Sequence, residues 1–168
     1  SRGRGELAQG QQSWLRKLYQ TCMIEIKHYD GQENLAESIL AVMQSVYEQS
    51  PWTLEQIASS MASQYEDYYL AYEGQELVGF LAVQTVLDEM EILQIAVRAD
   101  FQRLGIASQL MAAVMDWEGD IFLEVRESNR AAHALYTRQH FTKIGKRKEY
   151  YRHPVEDAVM MKRERDER

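Results

Sequence analysis

The chain has few of the residues on which disulfide-bonded and metal-binding proteins depend. Its single cysteine, Cys22, excludes an internal disulfide, and no group of cysteine and histidine residues has the spacing of a zinc site. No apolar run is long enough to span a bilayer, and no secretory signal segment is present. We therefore expect a cytoplasmic protein that holds no metal and does not bind membranes.

Positive charge is also scarce. The 168 residues include 19 Lys and Arg against 26 Asp and Glu, which gives a net charge of −7. A general nucleic-acid binder gains affinity by neutralising phosphates with basic side chains, so this balance argues against one and suits a basic peptide better. The length and the 45% share of hydrophobic residues predict one globular domain with a substantial core.

Residues 1–22 differ from the rest of the chain because they are rich in glycine and glutamine and are basic. Two interpretations stay open. One is an upstream extension or cloning remnant before a natural start at Met23, and the other is a short amphipathic docking helix over residues 14–19. We expect the domain to span residues 23–162, followed by a charged, frayed tail at 163–168.

A strand, a turn and a helix are predicted between residues 92 and 117. Residues 92–97 form a short apolar run typical of a buried strand, and apolar residues recur at helical spacing after Gly105. The turn at 102–107 has small, flexible positions, so backbone amides at the helix start can approach a diphosphate closely. The alternative is that Gly105 is present for packing only and that the turn binds no phosphate. The turn lacks the Lys-Ser/Thr pair of a nucleotide P-loop and the three glycines of a dinucleotide fingerprint.

The rest of the pattern alternates between strands and helices. A strand at 121–125 would complete a βαβ unit with the strand at 92–97, which makes these two strands parallel. Thr53 to Gln56 has the sequence of a capping box at a helix start. The other predicted elements are a strand at 23–28, helices at 35–48, 53–63, 105–117 and 128–139, hairpin strands at 68–72 and 77–87, and a closing hairpin at 142–151 and 155–162.

Several motifs, in the expected order, resemble the GNAT superfamily of N-acetyltransferases. Gln-Arg-Leu-Gly-Ile-Ala at 102–107, after a strand ending Ile-Ala-Val, is similar to the acetyl-coenzyme A motif Gln/Arg-x-x-Gly-x-Gly/Ala. Within the superfamily the RimI-type branch acetylates the N-terminal alanine of small-subunit ribosomal protein eighteen. The chain resembles this branch in Pro51-Trp52, Asp88-Glu89, Leu-Glu-Val-Arg at 123–126, Ser128-Asn129, Ala-Leu-Tyr at 134–136, Phe141, Tyr150-Tyr151 and Glu-Asp-Ala at 156–158.

This resemblance implies an α/β fold with a mostly antiparallel seven-stranded sheet, a splayed central parallel pair and about four helices. Acetyl-coenzyme A would be the cosubstrate, and the amine would attack it directly in a ternary complex. The backbone of the splayed strand would bind the pantetheine arm, and the glycine turn would bind the diphosphate. The expected cofactor-binding residues are Ile95, Ala96, Val97, Gln102, Arg103, Leu104, Gly105, Ile106, Ala107, Ser108, Asn129 and Tyr136.

Glu124 lies within the apolar strand at 121–125, where a carboxylate must face a cleft or a partner. Arg126, two residues on and on the same face, is the candidate ion-pair partner. The pattern alone leaves an ion pair and a catalytic base equally open, and the resemblance favours the base. An α-amino group has a pKa of about 8, so only a modest base is needed as the amine attacks the thioester.

Tyr136 follows Asn129 by seven positions, which is about 10.5 Å along one face of a helix. This span suits a pantetheine arm, with Asn129 bonding an amide of the arm and Tyr136 protonating the departing thiolate. The pattern alone favours a core aromatic beside Leu135, whereas the resemblance favours the acid.

The acceptor is expected to bind between Trp52, Glu124, Tyr150 and Tyr151. Negative charge from Asp88, Glu89, Glu156 and Asp157 suits a peptide with a small first residue followed by a basic one. Alternatively, Trp52 is a hydrophobic staple, and Asp88 and Glu89 belong to a solvated turn. We expect a monomeric acetyltransferase of the N-terminal alanine of a ribosomal protein. Acetylation of another protein or a small amine, and a non-catalytic coenzyme A-binding module, remain alternatives.

Overall fold

The structure, a computed structural model, describes residues 10–12, 14–15 and 23–165. Seven strands form one sheet in the order β1-β2-β3-β4-β5-β7-β6. Neighbouring strands are antiparallel except for β4 and β5, which are parallel. The strands are β1 (Ile24–His28), β2 (Glu66–Glu73), β3 (Glu76–Val86), β4 (Glu89–Val97), β5 (Asp120–Arg126), β6 (Thr142–Tyr151) and β7 (Glu156–Arg163). The predicted fold class is confirmed.

Four α-helices and one 3₁₀ helix connect these strands within residues 23–165. The α-helices are α1 (Ala36–Val46), α2 (Leu54–Ala62), α3 (Ile106–Ala112) and α4 (Arg130–Arg138), and the 3₁₀ helix is Ala99–Phe101. The predicted capping box at the start of α2 is confirmed, because Thr53 and Gln56 exchange both hydrogen bonds. In the described part of the chain, no helix has the length and apolar character needed to cross a bilayer.

Two hydrophobic cores lie on opposite faces of the sheet. Phe80 and Ala82 of β3 belong to one core, and Leu81 and Val83 to the other, because alternate residues of a strand point to opposite faces. The first core is covered by α1 and α2 through Ala36, Ile39, Val42, Met43 and Ile57. The second is covered by α3 and α4 through Ile106, Leu110, Met111, Leu135 and Tyr136.

The alternation of β5 decides which way Glu124 points. Ile121, Leu123 and Val125 are buried in the core beneath α3 and α4. Phe122 and Glu124 therefore face the other side of the sheet, where they line an open groove. The Glu124 side chain keeps 20% of its surface exposed, so a charged carboxylate is tolerated there.

Two predicted boundaries are wrong around the second parallel strand. The helix predicted to reach Trp117 ends as an α-helix at Ala112, and i→i−3 bonds such as Val114 N–H to Met111 O continue it as tight turns. The chain must reverse within a few residues to begin β5, and tighter turns achieve this. The predicted frayed tail is also wrong at its first residue, because Arg163 ends β7 and donates to the carbonyl oxygen of Met115 at 2.8 Å.

The interpretations of residues 1–22 lie almost wholly outside the described residues. Residues 14–15 are helical, with Trp14 61% exposed and Leu15 46% exposed. Residues 166–168 of the predicted tail also lie outside the described part. The extension and the tail therefore stay predictions.

Gly119 permits the short connection from α3 to β5. A Cβ atom at this position would lie 1.8 Å from the carbonyl oxygen of Asp88 in the β3–β4 turn. We predict that Gly119→Ala lowers the free energy of unfolding by about 1–3 kcal/mol, because backbone must move to accept the methyl group. Urea denaturation measures this change.

Gly145→Ala is the matched control, since the nearest atom to its added Cβ is the Met160 sulfur at 3.9 Å. Its free energy of unfolding should stay within about 0.5 kcal/mol of the wild-type value. A Gly119→Ala protein as stable as the Gly145→Ala protein would contradict the packing at this turn.

Candidate active site

The parallel strands β4 and β5 separate partway along their length. Their paired positions run from Glu89 and Asp120 to Ile92 and Leu123, although β4 continues to Val97 and β5 to Arg126. On its other edge β4 carries a bulge, because the partner of Ala82 is Gln94 and the partner of Val83 is Ile92. A bulge bends a strand and increases its twist. The predicted splay therefore begins where β4 bulges.

Backbone groups of β4 face the resulting gap. The Arg98 N–H donates to the carbonyl oxygen of Val78 in β3 at 2.7 Å. Because backbone groups alternate between the two edges of a strand, the N–H groups of Ile95 and Val97 point away from β3 and toward the gap. The Val97 carbonyl oxygen accepts a hydrogen bond from Nε2 of Gln102 at 3.1 Å, so it is already partnered within the protein.

The turn after the 3₁₀ helix presents amides at the start of α3. Gly105 is the N-cap with φ of +80°, and Arg103 also has a positive φ, of +65°. The space that a Cβ atom of Gly105 would occupy is open. Within residues 23–165 the N–H groups of Ile106, Ala107 and Ser108 have no acceptor, as is usual in the first turn of a helix. An anion can therefore approach these amides closely.

Two predicted cofactor-binding residues belong to α4, with Asn129 at its N-cap and Tyr136 near its end. Asn129 caps α4 by accepting the Ala132 N–H at 3.1 Å, which leaves its side-chain NH₂ as a donor. Tyr136 is only 5% exposed, and its ring lies 5.8 Å from that of Phe141. Burial raises the pKa of Tyr136, and Tyr47 and Tyr151 add to this effect. Tyr136 therefore has a core position, as the pattern alone predicted.

Glu124 forms an ion pair with a residue that the sequence did not indicate. Its Oε1 lies 3.1 Å from Nε of Arg147 on β6. The predicted partner, Arg126, is wrong, because its guanidinium donates to the carbonyl oxygens of Arg152 at 2.9 Å and Pro154 at 3.0 Å. The hairpin between β6 and β7 passes over Arg126 and supplies these carbonyls.

Tyr150 and Tyr151 lie beside the same carboxylate. A hydrogen bond to Glu124, followed by burial, raises the pKa of Tyr150. Burial, followed by the charge of Glu124, raises the pKa of Tyr151 to about 12. The Arg126 guanidinium lies 4.5 Å from the centre of the Tyr151 ring. Both tyrosines therefore remain neutral donors at physiological pH.

Glu124 and Arg147 line a groove of about 330 Å³ on the open face of the sheet. Glu89 and Glu91 of β4 also line it, so three carboxylates face one guanidinium. Burial, followed by the negative charge of Glu124, raises the pKa of Glu91, and Arg147 opposes this shift. The apolar part of the lining includes Val86, Phe122, Ile144 and Met160. The groove suits a small cation with an apolar portion.

Trp52 lies in a neighbouring cleft rather than in this groove. That cleft has a volume of about 470 Å³ and is lined by Trp52, Glu55, Glu66 and Gln84 among others. Gln84 also lines the groove, so the two spaces adjoin there. Trp52 is half-buried against the core beneath α1 and α2. Trp52 therefore packs against the core and also borders the cleft, so its interpretation as a hydrophobic staple and its interpretation as an acceptor-binding residue both remain.

Three of the four acidic residues expected to attract a cationic peptide have partners within the protein itself. Asp88 pairs with Arg165 at 3.7 Å, and Asp157 accepts the Glu149 N–H at 2.9 Å. Glu156 accepts both the N–H and the hydroxyl of Ser128, and these hydrogen bonds lower the pKa of Glu156. Of the four, Glu89 lines the groove.

Sequence reasoning missed two residues near the site. Arg147 lies within Lys-Arg-Lys at 146–148, a run typical of an exposed strand, so no signal marked it. Tyr47, at the end of α1, lies close enough to Tyr136 and Tyr151 to affect their pKa values. Its own pKa is raised by burial, and Arg126 opposes this shift. Its position depends on how α1 packs across the sheet, which the local pattern does not reveal.

Comparison with known proteins establishes the family. The sequence model of the Acetyltransferase (GNAT) family matches residues 32–141. The chain belongs to the GNAT family. This GNAT protein is 35% identical over 120 residues to the ribosomal protein bS18-alanine N-acetyltransferase of Escherichia coli strain K12, a match that covers 66% of this chain and 79% of the relative. It is 34% identical over 120 residues to the N-alpha-acetyltransferase RimI of Mycobacterium tuberculosis, covering 68% and 76%.

A solved structure agrees with this assignment. The crystal structure of the ribosomal-protein-S18-alanine N-acetyltransferase from Escherichia coli matches with a TM-score of 0.76 and 28% sequence identity. The match covers 83% of this chain and 92% of that one.

Proposed function

We propose that this GNAT protein transfers an acetyl group from acetyl-coenzyme A to the α-amine of an N-terminal alanine. The observation that carries the proposal is the separation of β4 from β5 beside Glu124. A thioester can enter from the side of α3 and α4, and an amine from the groove on the opposite face. The Escherichia coli relative and its solved structure are named for acetylation of the alanine of ribosomal protein bS18, which supports a small-subunit ribosomal protein as the acceptor.

We assign the acetyl-coenzyme A arm to the gap and its diphosphate to the turn. The N–H groups of Ile95 and Val97 face the gap, where they can pair with the pantetheine amides as an added strand would. The first amides of α3, next to Gly105, can donate to the diphosphate. The side-chain NH₂ of Asn129 can donate to a carbonyl of the arm. Gln102, Arg103 and Leu104 shape the turn.

We assign Glu124 as the base. The nitrogen–carbon bond forms as the neutral amine attacks the acetyl carbonyl, and Glu124 accepts the proton that the nitrogen loses. We also assign a backbone N–H of Ile95 or Val97 to polarise that carbonyl. Glu124 retains enough exposure to receive the amine from the groove.

We assign Tyr136 as the acid. When the carbon–sulfur bond breaks, the Tyr136 phenol gives its proton to the coenzyme A thiolate. Burial raises its pKa, which keeps the phenol protonated before the reaction. A phenol is already a weaker acid than a thiol, and this shift widens the difference, so the transfer is uphill. The Tyr136 phenolate must then regain a proton from solvent as the products leave.

The groove favours a peptide that carries positive charge at its start. Glu89, Glu91 and Glu124 attract an ammonium group, and the volume of about 330 Å³ suits a small first residue. We assign Tyr150 and Tyr151 to the wall beside Glu124 and Trp52 to the mouth of the adjoining cleft.

The substrate class can be tested by the release of free thiol from acetyl-coenzyme A. We predict turnover with peptides that begin Ala-Arg, because the groove offers carboxylates to the α-ammonium and to the basic second residue. The same peptides with a blocked N-terminus should give only background release. Mass spectrometry should find the acetyl group on the α-nitrogen.

Two results would contradict this assignment. Acetylation of a lysine side chain, with the free α-amine left unmodified, would indicate another acceptor class. Tight binding of coenzyme A with no transfer to any peptide would indicate a non-catalytic binding module.

The catalytic assignments can be tested by isosteric substitutions. We predict that Glu124→Gln lowers kcat by about 10²-fold or more, because the base is removed while its shape is kept. Tyr136→Phe should lower kcat by about 10-fold or more and preserve the core packing. Coenzyme A affinity, measured by calorimetry, should stay within about threefold for both, since neither group binds the diphosphate.

Tyr65→Phe is the control for removal of a phenol, because Tyr65 is 56% exposed and lies outside the proposed site. It should keep the wild-type kcat. Full kcat in both the Glu124 and the Tyr136 variants would show that these residues do not carry the proton transfers.

A further inference from the structure

The carboxylate proposed as the base is already paired with a cation of the protein itself. Nε of Arg147 lies 3.1 Å from Oε1 of Glu124. The Arg147 side chain is 53% exposed, whereas that of Glu124 is 20% exposed. The guanidinium lies 5.6 Å from the centre of the Tyr150 ring. Arg147 can therefore swing into solvent, but Glu124 cannot.

An acceptor ammonium and Arg147 need the same oxygen atoms. Both are cations that donate hydrogen bonds, and both must reach Glu124 from the groove that these residues line. An ion pair with one half-exposed partner contributes little stability, so the incoming ammonium can displace Arg147 at small cost. The displaced guanidinium stays tethered to β6, so its positive charge remains beside the groove that Arg147 lines.

We propose that Arg147 is a positioning residue, which the acceptor ammonium displaces from Glu124 and which then favours the neutral, reactive form of the bound amine. This inference depends on the proposed function. The physical reason is like-charge repulsion, because a guanidinium beside an ammonium lowers the pKa of that ammonium. Arg147 thus weakens binding of the charged acceptor and increases its reactive fraction.

The other charged groups around the groove do not supply this effect. Glu89 and Glu91 of β4 and Glu124 of β5 are negative and stabilise an ammonium. Tyr150 and Tyr151 of β6 are neutral. The Arg126 guanidinium is held by backbone carbonyl oxygens of the β6–β7 hairpin. Lys162 of β7 lies over the Phe122 ring and pairs with Asp120 at 3.5 Å. Arg147 is thus the cation that, within residues 23–165, pairs with the proposed base.

The test is a comparison of Arg147→Gln, Arg147→Lys and wild-type protein with an Ala-Arg peptide between pH 6 and pH 9. In Arg147→Gln we expect KM for the peptide to fall by about 3- to 10-fold, because the competing cation is gone. We expect kcat at pH 7 to fall by about threefold and the midpoint of the kcat–pH profile to move up by about half a unit. At pH 9 kcat should approach the wild-type value.

Two further variants test whether the changes in KM and in the pH profile depend on a positive charge at position 147. Arg147→Lys keeps the charge and should return the midpoint toward the wild-type value. Lys148→Gln removes a positive charge from the adjacent residue of β6, which makes no ion pair with the described residues, and it should leave KM and the pH profile unchanged.

The outcomes separate this inference from the proposed function. The role of Arg147 alone would be overturned if the wild-type protein turns over the peptide but Arg147→Gln has an unchanged or raised KM and the same pH profile as the wild type. An equal shift in Lys148→Gln would also overturn it, because the effect would then come from general charge. Failure of the wild-type protein to acetylate the peptide would overturn both.

Discussion

The site depends on hydrogen bonds that two neighbouring strands do not make. Parallel strands in a folded protein normally satisfy each other's backbone groups, and unpaired buried groups are costly. Here β4 and β5 pair over only four positions and then separate, with a bulge at the same level on the other edge of β4. The N–H groups of Ile95 and Val97 are thereby left for a ligand that can replace a strand. Proposed cofactor binding and proposed catalysis both start from this gap.

The elements around the gap are positioned by ordinary packing. Alternation along β5 buries Ile121, Leu123 and Val125, and so turns Glu124 to the opposite face. The amides at the start of α3 lie next to the end of β4 because the 3₁₀ helix and Gly105 reverse the chain within a few residues. Glu156 ties the last hairpin to Ser128, next to the cap of α4. One local feature thus positions each part of the site: the alternation of β5, the turn at Gly105, or the contact of Glu156 with Ser128.

The groove combines three carboxylates with one guanidinium, so it is not simply an acidic patch. Arg147 offsets part of the negative charge of Glu89, Glu91 and Glu124. A groove with no cation would bind an ammonium more tightly, but it would also hold the amine in its unreactive charged form. The Arg147–Glu124 pair therefore connects acceptor affinity to acceptor reactivity, within the function proposed here.

Much of the fold was accessible from the sequence because its signals are local. The capping box at Thr53, the change of period at Gly105 and the alternation around Glu124 each depend on a few adjacent residues. The partners of charged side chains were not accessible, because they depend on how β6 and β7 return to the sheet. Arg126 lies closer to Glu124 in sequence, yet Arg147 is the partner, since the hairpin carbonyls capture Arg126. The tight turns after Ala112 also depended on a distant residue, Arg163.

The central claim, that the gap binds the pantetheine arm through its backbone, is tested most directly by amide hydrogen exchange of Ile95 and Val97. In the protein alone these two amides should exchange faster than the amide of Leu123, which lies at the last paired position of β5. Saturating coenzyme A should slow both by at least about tenfold, because the arm replaces the missing strand as their hydrogen-bond partner. Exchange of Ile95 and Val97 that stays unchanged when coenzyme A is bound would contradict the account.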